Sequence, residues 1–148
     1  MNGDVKLKYQ DLINEQKTDD ECPCSNCFPA TGEAFRWVLN PIEHPWNFLP
    51  NKLYSEHQSR PIRINSEVDL HKCSDCALSM FTSEDKARKK FQGIPSPMRE
   101  TLGYTHLAHG DIENAGLRSK AKAGHFNLFE YEGIELRSKF VIVDELMS

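Results

Sequence analysis

Cys22-Pro23-Cys24-Ser25-Asn26-Cys27 near the start and Cys73-Ser74-Asp75-Cys76 at mid-chain divide the sequence, and the rest falls before, between or after them. The inner runs Cys24-Ser25-Asn26-Cys27 and Cys73-Ser74-Asp75-Cys76 share one plan, Cys-x-x-Cys around a Ser and an Asn or Asp. Small polar residues suit the tight turn that points two sulfurs at one ion. Cys24, Cys27, Cys73 and Cys76 are therefore the expected ligands of one tetrahedral zinc. Four thiolates leave no open position, so the metal is expected to be structural. Cys22 is spare, and by spacing either Cys22 or His71 is able to replace one of the four. Residues 28–72, 45 in all, separate the knuckles, more than the roughly 15–20 of a compact zinc ribbon. The knuckles, at 17–30 and 71–78, thus clip a large loop. Closing it removes unfolded-chain entropy, and the ion is expected to add on the order of 10 kcal/mol.

A chain of 148 residues is expected to form one domain, 1–148, that buries about two-thirds of the surface its unfolded state exposes. With 39% apolar and 27% charged residues, the composition is that of a folded globular protein, not a disordered one. No run approaches the roughly 18 apolar residues of a membrane span, so no membrane partner is expected. The start lacks the apolar core of a secretory signal, and all five cysteines cluster in the knuckles instead of spreading as a disulfide framework. Both features point to the cytoplasm, where clustered cysteines serve metal or redox chemistry. A net charge of −4 argues against a protein devoted to coating nucleic acid.

Val5, Tyr9, Leu12 and Ile13 lie at helical spacing and predict a short amphipathic helix over 4–16. Phe35, Trp37 and Leu39 alternate against Arg36, as expected of a half-buried strand over 33–39. From 40 to 63 the pattern dissolves among Pro41, Pro45, Pro50 and Pro61, giving an irregular enclosed loop. Ile62, Ile64, Val68 and Leu70 suggest a short strand. Residues 77–81 read as a buried strand, followed by a helix capped by a hydroxyl at 82–83 and ended by Gly93. Ser96-Pro97 and Gly103 punctuate a second short helix. A strand is expected over 104–109, then a loop to Gly124. Two further strands, 125–131 and 139–143, are expected to pair as a hairpin. The expected class is α+β: a mainly antiparallel sheet, two or three short helices and a structural zinc-knuckle pair.

Three further constellations carry possible chemistry. His106-Leu107-Ala108-His109 with Asp111, and His125 beyond it, resembles a metal or general-base pattern. On a strand, however, residues three apart face opposite sides. The enclosed loop offers His44, Trp46, Asn47, Tyr54, His57, Arg60 and Arg63, types that stack a ring and neutralise a phosphate. Lys86, Arg88, Lys89 and Lys90, with Arg118, Lys120 and Lys122, compose a basic set that Glu84, Asp85, Asp111 and Glu113 dilute.

With a metal clip and no strong catalytic motif, the first expectation is a small intracellular zinc-stabilised binding module for a protein or nucleic-acid partner. The order of pieces also supports an enzyme. Phe35-Arg36-Trp37-Val38, the loop with His44 and Tyr54, the strand and helix start Leu78-Ser79-Met80-Phe81-Thr82-Ser83 and the late strands ending near Glu145 resemble small ADP-ribosyltransferase-type domains. That resemblance implies NAD as cosubstrate, with Arg36 or His44 contacting it, Tyr54 stacking on nicotinamide, and Glu130 or Glu145 stabilising the oxocarbenium charge.

Overall fold

Glu33–Val38 (β2) alternates, but both of its phases are covered: Ala34, Arg36 and Val38 are buried, while Phe35 and Trp37 are half-buried. Ala34 and Val38 pack with Leu78, Met80, Phe126, Leu128 and Phe140 on one face. Phe35 and Trp37 meet Phe81, Ala87, Phe91, Leu107 and Leu146 on the other. The half-buried strand expected from the alternation is thus a central strand, and its arginine lies inside. This computed structural model describes residues 6–15, 22, 26–57 and 73–147.

The remaining strands are Phe28–Pro29 (β1), Leu78–Phe81 (β3), His106–Asp111 (β4), Gly116–Arg118 (β5), His125–Glu130 (β6) and Phe140–Glu145 (β7). They form a seven-stranded sheet in the order β1-β5-β6-β3-β2-β4-β7, and every pairing in it is antiparallel. Among the described residues there are four α-helices, Gln10–Glu15 (α1), Asn51–His57 (α2), Glu84–Gln92 (α3) and Ser96–Leu102 (α4), more than the two or three expected, and the architecture is a small single domain of the expected α+β class. The hairpin is not: β6 lies between β5 and β3, whereas β7 pairs with β4 at the sheet margin. The last two strands each complete a different part of the core, so their proximity in sequence misleads.

Helix α3 forms where its punctuation places it. Ser83 accepts the Lys86 N–H through its hydroxyl at 3.2 Å, Glu84 and Asp85 complement the dipole of the first turn, and Ala87 and Phe91, one turn apart, face the sheet. Gly103 ends α4 in the left-handed region at φ 82°, its N–H bonding the Arg99 carbonyl, a conformation that favours glycine. Helix α1 covers less than the 4–16 expected, since Leu7 bridges Tyr131 before the helix begins.

Two elements escape the sequence patterns. Helix α2 sits inside the segment expected to be irregular: Pro50 precedes the first turn, where no amide is needed, and its carbonyl accepts the Tyr54 N–H at 3.0 Å. Strand β5 is three residues long, and Gly116 lies so close to the Phe129 carbonyl that a Cβ there would collide. The strand suggested by Ile62 to Leu70, together with Arg60, Arg63, His71 and Cys24, lies outside the described residues. Among the described residues no helix is long and apolar enough to cross a membrane.

Candidate functional site: a cleft where the sheet opens

Strand β2 is joined to β4 along its whole length, Glu33 to Val38 against Asp111 to His106, and β3 to β6 over Leu78–Phe81. Between them, β2 and β3 share the single register pair Phe35↔Phe81. Beyond it the strands part, and the gap opens into a cleft of about 790 Å³ roofed by residues of α2 and α4. Arg36 and Trp37 line it from β2, Ser79 and Phe81 from β3, and Asn51, Tyr54, Asp75, Met98, Thr101 and Tyr104 from around the rim.

Arg36 spans the gap. Its Nη1 donates to the Ser79 carbonyl at 2.7 Å and its Nε to the Asn47 carbonyl at 2.9 Å, while the guanidinium carbon stands 5.7 Å from the Phe48 ring centre. The residue is 2% exposed, yet Nη2 has no hydrogen-bond partner among the described residues, and no described carboxylate forms an ion pair with Arg36. Burial pulls its pKa below the ordinary arginine value, while the tyrosines and Glu130 act to restore it. A buried guanidinium with an idle donor and no contacting anion is costly in isolation.

The walls beside it are aromatic. Tyr54 and Tyr104 stack with centroids 4.7 Å apart and planes 7° from parallel, and the Tyr54 hydroxyl donates to the Leu102 carbonyl at 2.5 Å, tying α2 to the end of α4. Trp37 packs against Phe81, Phe91 and Tyr104 and donates its indole N–H to the Ala87 carbonyl at 2.9 Å. Asn51 links the cleft to the second cysteine turn. Its backbone N–H donates to the Ala77 carbonyl at 3.0 Å, and its Nδ2 to the Ser74 carbonyl at 3.1 Å and the Ser79 hydroxyl at 3.3 Å.

Of the residues the ADP-ribosyltransferase resemblance implies, Arg36 and Tyr54 line this cleft. His44 and Glu130 do not; they line a separate cavity of about 100 Å³ together with Lys8 and Tyr9. Glu130 is buried, with Oε2 on the Lys8 ammonium at 2.8 Å and Oε1 unpartnered among the described residues. Burial raises its pKa, against the lowering influence of Lys8 and Arg36. Burial, with Glu130 nearby, likewise pushes Tyr9 up to about 12. His44 accepts the Trp46 N–H at Nδ1, 3.1 Å away. Glu145 is exposed and faces another hollow, beside Phe91 and Tyr104.

The histidines do not converge. His109 pairs with Glu33 at 2.6 Å and stacks on Phe35. His106 Nδ1 meets the Thr105 hydroxyl, and His125 stands edge-on to Phe81, its pKa lowered by burial and by Lys90. Part of the basic set is engaged: Arg88 pairs with Glu84 and Asp144, Lys89 with Asp85, and the Arg118 guanidinium lies 3.6 Å from the Phe126 ring centre.

Four cysteines are gathered, with Cys22 among them, and not as free thiolates. Cys22 and Cys73 form a disulfide with Cα atoms 5.4 Å apart, Cys27 is also disulfide-bonded, and Cys76 is a buried thiol whose pKa burial pushes up to about 11. All four pack on one cluster with Leu7, Ile13, Ala77 and Phe129. A sulfur held in a disulfide is no thiolate ligand, and among the described residues no three His, Cys, Asp or Glu side chains are placed to hold a metal. The expected set Cys24, Cys27, Cys73 and Cys76 is thus not formed in this state.

Asn51 and Tyr104 carry no motif that marks them as site residues, and Asp75 and Ser79 stand in runs read for other reasons; the parting of the strands brings the four together. No protein-family model matches the chain, and neither do any curated proteins or solved structures.

Proposed function

We propose that the protein is a binding domain whose ligand lies in the β2/β3 cleft, a small molecule with a flat ring and an anionic or carbonyl group. The observation that carries this reading is the idle Nη2 of a buried Arg36 on a cleft walled by aromatic rings. A mostly apolar pocket with a few convergent polar groups is the usual form of a small-molecule site, and an anion on Nη2 would offset the desolvated charge. A nucleic-acid partner is less well served, because phosphate binding needs concentrated lysine and arginine and the net charge of the chain is −4. In its zinc-stabilised form the reading adds a metal at the cysteine cluster, which Asn51 joins to the cleft.

The NAD reading has a specific observation in its favour, since Arg36 and Tyr54 line one cleft. The carboxylate that lines this cleft is Asp75, not Glu130. Both readings are tested by melting the protein with millimolar benzoate, adenosine monophosphate or NAD, beside a Thr101→Trp variant whose added ring fills the rim. A ligand at about a hundred times its dissociation constant stabilises by about 2.7 kcal/mol, a rise of about 5–10 °C in a chain of this size. The expected result is a rise with at least one probe that Thr101→Trp loses. No rise with any probe refutes the cleft reading, and NAD consumed in the same samples selects the enzyme.

A further inference from the structure

We propose that Cys22, Cys27, Cys73 and Cys76 form a tetrathiolate zinc site when the chain is reduced, and that the Cys22–Cys73 disulfide is the oxidised, metal-free state of that site. The inference rests on the zinc-stabilised form of the reading above and not on what the cleft binds. It also changes the ligand set expected from spacing, with Cys22 in place of Cys24.

Three observations support it. The four cysteines, drawn from two segments far apart in sequence, pack on one small apolar cluster. Cys22 and Cys73 are close enough to be bonded, with Cα atoms 5.4 Å apart. In a zinc tetrathiolate two sulfurs at about 2.3 Å from the metal stand about 3.8 Å from each other, a separation that side-chain rotation reaches from that Cα spacing. Cys73 and Cys76 occupy the two ends of one 3-10 turn, where residues three apart eclipse and present their side chains on one side. Thiolates in an apolar setting without imidazole select a soft or borderline ion such as zinc over magnesium or calcium. The turn itself is held in place by Asn51, through the Ser74 and Ala77 carbonyls.

Interconversion needs an external reductant. A dithiol gives two electrons and two protons to the Cys22–Cys73 bond, which breaks to two thiols as the dithiol closes to its own disulfide. A second equivalent opens the disulfide at Cys27. Zinc then displaces the four thiol protons as four zinc–sulfur bonds form. The reducing conditions of a cytoplasm would favour the metal form, and oxidation would release zinc.

The test uses the full chain, reduced with excess dithiothreitol and freed of it without air, then titrated with cobalt(II) and zinc. Tetrahedral thiolate coordination gives intense visible cobalt bands and a sulfur-to-cobalt charge-transfer band, saturating at one metal per chain and bleached by zinc. Cys22→Ser and Cys76→Ser are expected to lose that spectrum and Cys24→Ser to keep it, with far-ultraviolet circular dichroism reporting the fold of each. A wild-type chain with no such spectrum overturns the site. Loss of the spectrum in Cys24→Ser, or its retention in Cys22→Ser, overturns the ligand set. The melting response to benzoate, adenosine monophosphate or NAD is read separately, so failure of one proposal leaves the other measurable.

Discussion

Replacing Asn47 by alanine removes the side chain that organises the segment between β2 and α2. Asn47 is fully buried. Its Oδ1 accepts the Leu39 N–H at 2.6 Å, and its Nδ2 hydrogens are shared among the carbonyls of Leu39, Pro41 and Ile42 at 2.8, 3.1 and 3.0 Å. Its own carbonyl takes the Arg36 Nε, so the same residue fixes both the loop and the guanidinium in the cleft. At about 1 kcal/mol net per hydrogen bond, with at least one buried amide left orphaned, Asn47→Ala is expected to cost about 3–4 kcal/mol. In a chain of this size that corresponds to a melting temperature lower by about 10 °C. Equilibrium urea unfolding at neutral pH measures it, and the slope should stay near the wild-type value. Asn47→Asp separates geometry from donor chemistry, because a carboxylate keeps the Leu39 contact but turns an acceptor towards three carbonyl oxygens. It too should lose at least 2 kcal/mol by the same hydrogen-bond arithmetic. A loss below about 1 kcal/mol in either variant would refute the claim that this side chain holds the segment together.

Glu130 makes stability depend on pH in a definite direction. Burial raises its folded-state pKa, so between the ordinary carboxylate value and the raised one the folded chain holds more protons than the unfolded chain, and stability falls as pH rises through that window. Glu130→Gln should flatten this part of the profile; urea midpoints from pH 4.5 to 7.5 that stay parallel in the two proteins would contradict it. Gly110 lies against the Phe140 ring, which a Cβ at that position would strike. Gly110→Ala is expected to cost about 1–3 kcal/mol by overpacking, and adding Phe140→Leu should recover part of that loss. A double-mutant cycle with no coupling would dismiss the close contact.

Where one element's signals agree with its tertiary setting, the sequence was enough. The hydroxyl cap at 82–83, the acidic first turn and the Ala87/Phe91 stripe locate α3, and the apolar runs read at 77–81 and 125–131 mark strands β3 and β6 to within a residue. Punctuation misled where a residue has two meanings. Pro50 reads as an interruption among its neighbouring prolines, although directly before a first turn it starts a helix. Strand partners were less legible than strands, because β6 and β7 follow one another yet serve different neighbours, and nothing in either segment encodes the choice. The cysteine clusters show the same limit: spacing selected Cys24, Cys27, Cys73 and Cys76, whereas Cys22 is the residue bonded to Cys73, and Cys22 and Cys24 flank a single proline.

Arg36 is the residue whose meaning changed most, and the reason is local. An alternating strand has two phases, and Phe35, Trp37 and Leu39 are so large that they claim the inward phase, leaving Arg36 for solvent. The smaller Ala34 and Val38 flank the arginine in the other phase, however, and both are fully buried. A strand apolar in both phases is central, and any charge on it must be paired or must wait for a partner. β2 satisfies part of that demand internally, through the Ser79 carbonyl at the point where β3 would otherwise have continued the ladder. The arginine thus takes over an acceptor of the interrupted strand pair, and its remaining nitrogen is left buried without a hydrogen-bond partner among the described residues. The parting of the sheet and the unsatisfied charge are for this reason one feature, and a substitution that let β2 and β3 zip together would remove the cleft along with the anion site proposed for it.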